Sequence, residues 1–175
     1  AGSRIVLGTQ VFQTRTSARK FEQACGQRAL LLPDLLRNDD ATYVQRFVHT
    51  YENEVITIFD TETTGLDILH DDIVQIAAIQ IKQGEMVPGS QFCVYIETHR
   101  TIPEMLGDVV NPMIEARRHQ PLVAREKALQ MFMDYAQGTT LLGHNADYDV
   151  HILTANLQRD LPHYTDLSLL DNYFD

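Results

Sequence analysis

The spacing of apolar residues changes near residue 54. Before it the repeat is helical: Tyr43, Val44, Phe47 and Val48 fall at i, i+1, i+4 and i+5, which predicts a helix over 39–50 with Asp39 or Asp40 as its N-cap. Residues 16–27 read as a second short helix, and the apolar "LLLPDLLRND" between the two is broken by Pro33. From Glu54 onward β-branched and aromatic runs take over. "VITIF" (55–59), "IVQIAAIQI" (73–81) and "QFCVYIE" (91–97) predict three strands, and their short links, including the turn-rich "KQGEMVPGS", predict an antiparallel meander. After Pro103 the chain is expected to turn helical. "PLVAREKALQMFMDYAQG" places Pro121 near a first turn, Leu122, Leu129, Phe132, Met133 and Ala136 on one face, and Gly138 at the stop. A short apolar strand (139–142) then breaks at Gly143 into a helix with Val150, Leu153 and Leu157 on one stripe, and "YTDLSLLDNYF" reads as a last strand-like piece. Strands first, then helix and strand in alternation, predict an α/β domain with a mixed central sheet flanked by helices.

Composition narrows the class. A chain of 175 residues with 44% apolar and 22% charged side chains suits one well-buried core. One domain with an attached segment is expected, a helical N-terminal extension or remnant of a neighbouring domain over 1–50 and the α/β domain over 51–175, incomplete at its C-terminal end. Charge divides the chain at the same place: residues 1–50 hold seven Lys/Arg against four acids, the remainder seven against twenty. The net charge of −10 argues against a broad sequence-independent grip on a nucleic-acid backbone and leaves a cation-assisted site open. Cys25 and Cys93 have no CxxC or Cys/His spacing, so they read as small apolar core residues in a reducing compartment. No apolar run approaches the roughly 18 residues of a membrane helix. A cytoplasmic protein with no membrane partner is expected.

"IFDTETTGL" (58–66) carries the chemistry. Residues two apart on a strand share a face, so Asp60 and Glu62 would point into one space at the end of a strand made for burial. Two like charges there call for a cation between them. Asp149, one turn into a helix that follows another strand, can reach the same crevice, since open α/β sheets gather ligands at strand ends. Oxygen donors without a thiolate select Mg2+ or Mn2+. Plainer readings stand beside these. Asp60 and Glu62 read less readily as turn acids at a strand exit and Asp149 as a first-turn acid favoured by the helix dipole, a role that suits Asp147 better. Tyr148 reads as core, Arg117, Arg118 and His119 as a solvated helix end, and His99 and Arg100 as surface.

"FDTETTGL" and "LLGHNADYDVHIL" together resemble the first and second motifs of the DEDDh 3′-to-5′ exonucleases, the family of the proofreading epsilon subunit of DNA polymerase III and of ribonuclease T. The resemblance runs from about Glu54 to the end of the chain. It implies a ribonuclease H-like fold and hydrolysis of the 3′ end of DNA, or of RNA, with two Mg2+ or Mn2+ ions. Under it Asp60, Glu62 and Asp149 would be catalytic metal ligands, with Asp60 bridging both ions. Thr61, Thr63, Thr64, Gly65 and Leu66 would hold the 3′-terminal nucleotide, Leu66 against the base, and His144 and Asn145 would shape the turn and border the substrate, Asn145 as helix cap. A polymerase, a helicase or other domains of a longer polypeptide would be its partners.

The family's third motif, His-(x)4-Asp, has no match. After Asp149 the histidines are His151 and His163, and five residues beyond them stand Asn156 and Ser168; Asp166 matches the strand before that motif. These residues are therefore expected to be a fragment, itself inactive, of a longer enzyme. The alternative is a catalytically inactive nucleic-acid-binding or protein-interaction module of the same fold.

Overall fold

A computed structural model describes Ile5–Leu7, Gln10–Phe12 and residues 40–175, with side chains from Thr42 onward. The helix expected over 16–27 and Cys25 lie outside the described residues. Ile5–Leu7 (β1) and Gln10–Phe12 (β2) pair antiparallel. Asp40–Asn53 is helix α1, followed by the strands Val55–Thr63 (β3) and Ile73–Lys82 (β4). These two pair antiparallel over their length, and β4 pairs antiparallel with Phe92–Ile96 (β6) and with the short Glu85–Met86 (β5). The expected meander is thus present. β3 runs four residues beyond "VITIF" and carries both acids within it.

Past β6 the chain departs from a purely helical reading. Met105–Leu106 (β7) and Val109–Val110 (β8) form a hairpin in which Gly107 takes φ +60, a conformation open to glycine. The helix that follows, α2 (Pro112–Arg118), begins only after Asn111, whose side chain accepts from the Met113 N–H at 3.0 Å. Leu122–Val123 (β9) pairs parallel with Tyr95 and Ile96, so Leu122 belongs to an edge strand, Pro121 precedes it, and helix α3 starts at Arg125, ending at Ala136. The apolar spacing of Leu122 matched a helix by chance; its backbone is tied to β6 instead.

Thr140–Leu142 (β10) lies parallel to β3 on its other side, helix α4 spans Ala146–Asp160, and Tyr173–Phe174 (β11) pairs parallel with β10. The expected last strand-like piece shrinks to these two residues. Asp166 accepts from the Ser168 N–H and hydroxyl, which turns the chain into a 3-10 helix, Ser168–Asp171, before it re-extends. The main sheet runs β11-β10-β3-β4-β6-β9.

The core fills the space between one sheet face and helices α3 and α4. Ile76, Val94, Ile96, Leu129, Phe132, Leu153 and Leu157 are buried there, with the Phe59 and Phe132 rings 5.6 Å apart. On the other face α1 packs through Tyr43 and Phe47, both edge-on to Phe174 at 5.4 and 5.3 Å, while Val44 and Val48 face solvent. Four-residue spacing set the side that packs, and the adjacent pair turned outward. Cys93 is also exposed, because it alternates away from the core face that Val94 occupies. Among the described residues no helix is long and apolar enough to cross a membrane.

Candidate active site

The alternation along β3 separates two jobs. Phe59 and Thr61 are buried beneath the helices, and Asp60 and Glu62 emerge on the opposite face. Opposite them on β4 stand Ala77 and Gln75, and the register slips between Glu62 and Thr63, so the ladder loosens where the second acid sits. Two acids on one strand face is the arrangement the sequence predicts.

Asp149 reaches this strand through its edge. β10 pairs with β3 only as far as Ile58, which leaves the Thr61 N–H without a strand partner on that side. The Asp149 Oδ1 atom fills the vacancy, accepting from the Thr61 N–H at 3.1 Å and from the Thr61 hydroxyl. Thr61 is therefore an anchor for the third carboxylate. Only 4% exposed, Asp149 is pushed up to about 6 by burial; the Thr61 hydroxyl opposes that rise and the Asp60 charge adds to it. Loss of solvent, followed by the Asp60 charge, also holds Glu62 above its ordinary value. Asp60 thus stands in the field of both other acids.

Among the described residues no three His, Cys, Asp or Glu side chains gather closely enough to hold a metal ion. Asp149 is turned towards Thr61 instead. The donor set still suits a hard divalent cation: three carboxylates, mutual repulsion centred on Asp60, and, among the described residues, no thiol on this face other than that of the exposed Cys93 of β6.

The segment after Glu62 is a tight loop. The Tyr148 hydroxyl, on the first turn of α4, donates to the Gly65 carbonyl at 2.7 Å and lies 2.9 Å from the Thr63 hydroxyl. Tyr148, expected as core, is half-buried and packs against the core cluster while its hydroxyl ties the loop. The Thr64 hydroxyl binds Asp71 Oδ1 at 2.8 Å, and its N–H donates to the Asp72 carbonyl at 2.9 Å. Gly65 has a packing reason for its identity: a Cβ there would lie 2.5 Å from Asp71 Oδ2. Gly65→Ala is accordingly expected to cost about 1–3 kcal/mol, read as a lower urea midpoint with unchanged slope. Leu66 stands 85% exposed beyond this loop.

His144 and Asn145 are exposed at the β10-to-α4 turn. His144 borders an open groove of about 610 Å³ over Ile58, Asp60, Ile79 and Phe92. Asn145 occupies the cap position in the left-handed region (φ 57), and its side chain makes no capping bond; its N–H donates to Asp175 Oδ1 at 2.8 Å. The expected side-chain cap is absent because the left-handed backbone is used to make the turn itself. Asp147, expected to be a plain first-turn acid, is buried against the Tyr173 hydroxyl, and burial raises its carboxyl. Arg117 donates to the carbonyls of Val74 and Ile96 at 2.9 and 2.7 Å, a structural tie, while Arg118 and His119 pair with Glu115 at the surface.

Residues 57–173 match the exonuclease family RNase_T. The chain belongs to this family of DEDD-type exonucleases. Relatives of this exonuclease domain include the PolC-type DNA polymerase III of Latilactobacillus sakei, 31% identical over 124 residues, covering 69% of this chain and 8% of that protein. The PolC-type DNA polymerase III of Streptococcus thermophilus is 36% identical over 106 residues, covering 58% of this chain and 7% of that protein. The exonuclease domain thus spans under a tenth of the length of these relatives. Among solved structures, E. coli Exonuclease I in complex with a dT13 oligonucleotide superposes with a TM-score of 0.55 at 19% identity, covering 70% of this chain and 27% of that one. A second complex of the same enzyme, with 5cy-dT13, gives 0.56 at 18% identity over 71% and 28%. The fold of the exonuclease domain is ribonuclease H-like, as the two motifs implied.

Sequence reasoning passed over the polar cluster behind the loop. Arg125 Nε donates to Asp160 Oδ2 at 2.8 Å and its Nη1 to the Ile73 and Glu97 carbonyls at 3.1 Å, while Arg159 Nη2 meets Asp72 Oδ1 at 2.5 Å. One signal was available. A cation at the first position of α3 opposes the helix dipole and therefore implies a partner.

Proposed function

We propose that this domain hydrolyses phosphodiester bonds from the 3′ end of DNA, within a longer polypeptide that carries a replicative or repair activity. The observation that carries the reading is the pair Asp60 and Glu62 on one face of β3, with Asp149 bonded to the intervening Thr61, at the strand end from which the 63–66 loop departs. The PolC-type relatives support a polymerase setting, and the oligonucleotide complexes of Exonuclease I support single-stranded DNA as the substrate class.

Asp60, Glu62 and Asp149 are the residues that would hold Mg2+ or Mn2+ ions. Such ions would supply Lewis acidity for an attacking water and for the leaving oxygen of the scissile phosphate. The chain's own residues do the rest. Thr61 fixes the Asp149 carboxylate, Tyr148 and Thr63 fix the Gly65 carbonyl, and Leu66 offers an apolar surface to a terminal base of any identity. His-(x)4-Asp does not follow Asp149 in this sequence, so the general base is assigned to no residue of it.

Trimming of a 5′-labelled oligonucleotide tests the reading. The whole protein is expected to shorten it stepwise from the 3′ end with Mg2+ or Mn2+ and not with EDTA, while residues 1–175 alone turn over at least roughly a hundredfold more slowly for want of the base. Internal cuts, or trimming from the 5′ end, would overturn the direction. Binding that survives EDTA with no cleavage by the whole protein would leave the inactive module standing.

A further inference from the structure

Asp71 touches the 64–67 loop at three places. Its Oδ1 accepts from the Thr64 hydroxyl at 2.8 Å, its Oδ2 accepts from the Asp67 N–H at 2.8 Å, and the carboxylate between lies against the Cα of Gly65 where a side chain would otherwise sit. The two hydrogen bonds thus close on either side of Gly65 and Leu66. Asp71 is itself held, since the Asn156 amide donates to its carbonyl at 3.1 Å and its N–H donates to the Asp67 carbonyl at 2.7 Å. Asn156 lies two turns along α4 from Tyr148, which fastens the Gly65 carbonyl from the opposite side.

The result is unusual for an apolar residue. Ile68, two residues on, is buried and anchors the loop, yet Leu66 is left 85% exposed on a backbone fastened at its flanks. A flexible loop would let Leu66 fold back onto the protein and lose its water contact. A clamped one cannot, so the ordering that a ligand would otherwise impose is already in place.

We infer that Asp71 is a positioning residue that holds the 64–67 loop so that Leu66 stands clear as a platform for the terminal base of a nucleic-acid strand. This rests on the proposed 3′-end reading. Asp71 touches no substrate; it acts through Leu66. In Asp71→Ala both acceptors are lost, so the Asp67 N–H and the Thr64 hydroxyl are released together; Asp71→Asn would not serve, since its oxygen can stay on the Asp67 N–H while its amide donates to the Thr64 hydroxyl oxygen.

Two measurements on the whole protein decide it. The first is amide hydrogen exchange at Asp67, expected to accelerate on the order of tenfold or more in Asp71→Ala as that N–H loses its acceptor. The second is the ratio of kcat/KM for an oligonucleotide ending in thymidine to that for the same oligonucleotide ending in an abasic residue, expected near tenfold in the natural protein if one base stacks. Asp71→Ala and Leu66→Ala should each bring the ratio close to one, and the double variant should go no further. A merely structural loss lowers both substrates alike and leaves the ratio alone. Thr64→Val should mimic Asp71→Ala in the ratio and Thr64→Ser should restore it. Unchanged exchange in Asp71→Ala, or a ratio kept by Asp71→Ala and lost by Leu66→Ala, overturns the positioning role while the 3′-end reading stands. A natural protein with no 3′-end activity, or with none of this preference, overturns both or the Leu66 platform itself.

Discussion

Asp60→Asn in the whole protein is expected to lower the release of nucleotides from a 3′-labelled oligonucleotide by roughly a thousandfold or more, with the melting temperature level or slightly raised. The substitution keeps shape and removes one negative charge. That charge is the one shared by the other two acids, since it raises both Glu62 and Asp149. Without it the repulsion on this strand face falls, so nothing in the fold is lost: Asp60 is exposed, and surface changes of this kind usually stay within about half a kcal/mol. A bound cation, in contrast, would lose one of the three carboxylates proposed to hold it. Activity and stability should therefore separate. Cleavage at the natural rate would remove the site assignment, and loss of the cooperative melt would show that Asp60 serves the fold.

The parts of this site that lay open in the sequence are those fixed by local geometry. Period-two alternation put Asp60 and Glu62 on one face before any tertiary contact was considered, and a strand breaking at Gly143 into a helix placed Asp149 at the same end of the sheet. What escaped depends on partners distant in the chain. Asp71 and Asn156 are 85 positions apart and meet only because α4 crosses behind the loop. Thr61 looked like part of a substrate pocket, and its hydroxyl turned out to be committed to Asp149, a contact set by where β10 stops pairing. Leu122 shows the opposite failure: a spacing that fitted a helix was outweighed by parallel pairing with β6. Local pattern located the acids, and only packing revealed what holds them.

Asp149→Asn is expected to make the cation-free protein more stable at pH 7, by about 1–3 kcal/mol, while abolishing cleavage. The argument runs through burial. Asp149 has an ordinary value of 3.8 and rises to about 6 in the fold. Between those limits the folded state keeps a proton that the unfolded chain has released, so stability falls as pH climbs from about 4 to about 6 and is flat above, a total of about 3 kcal/mol. An asparagine is neutral throughout and still offers an oxygen to the Thr61 N–H and hydroxyl, so that fall should vanish from urea unfolding profiles taken in EDTA. Asp147 is also raised by burial, but it keeps its Tyr173 contact in both proteins, and the difference between them isolates Asp149. Addition of Mg2+ should then invert the order, because an ion that binds the folded site stabilises the natural protein by mass action and has lost a ligand in the variant. A variant less stable than the natural protein at pH 7 in EDTA would mean that Asp149 is held there as a structural anion, satisfied by Thr61 and needing no cation.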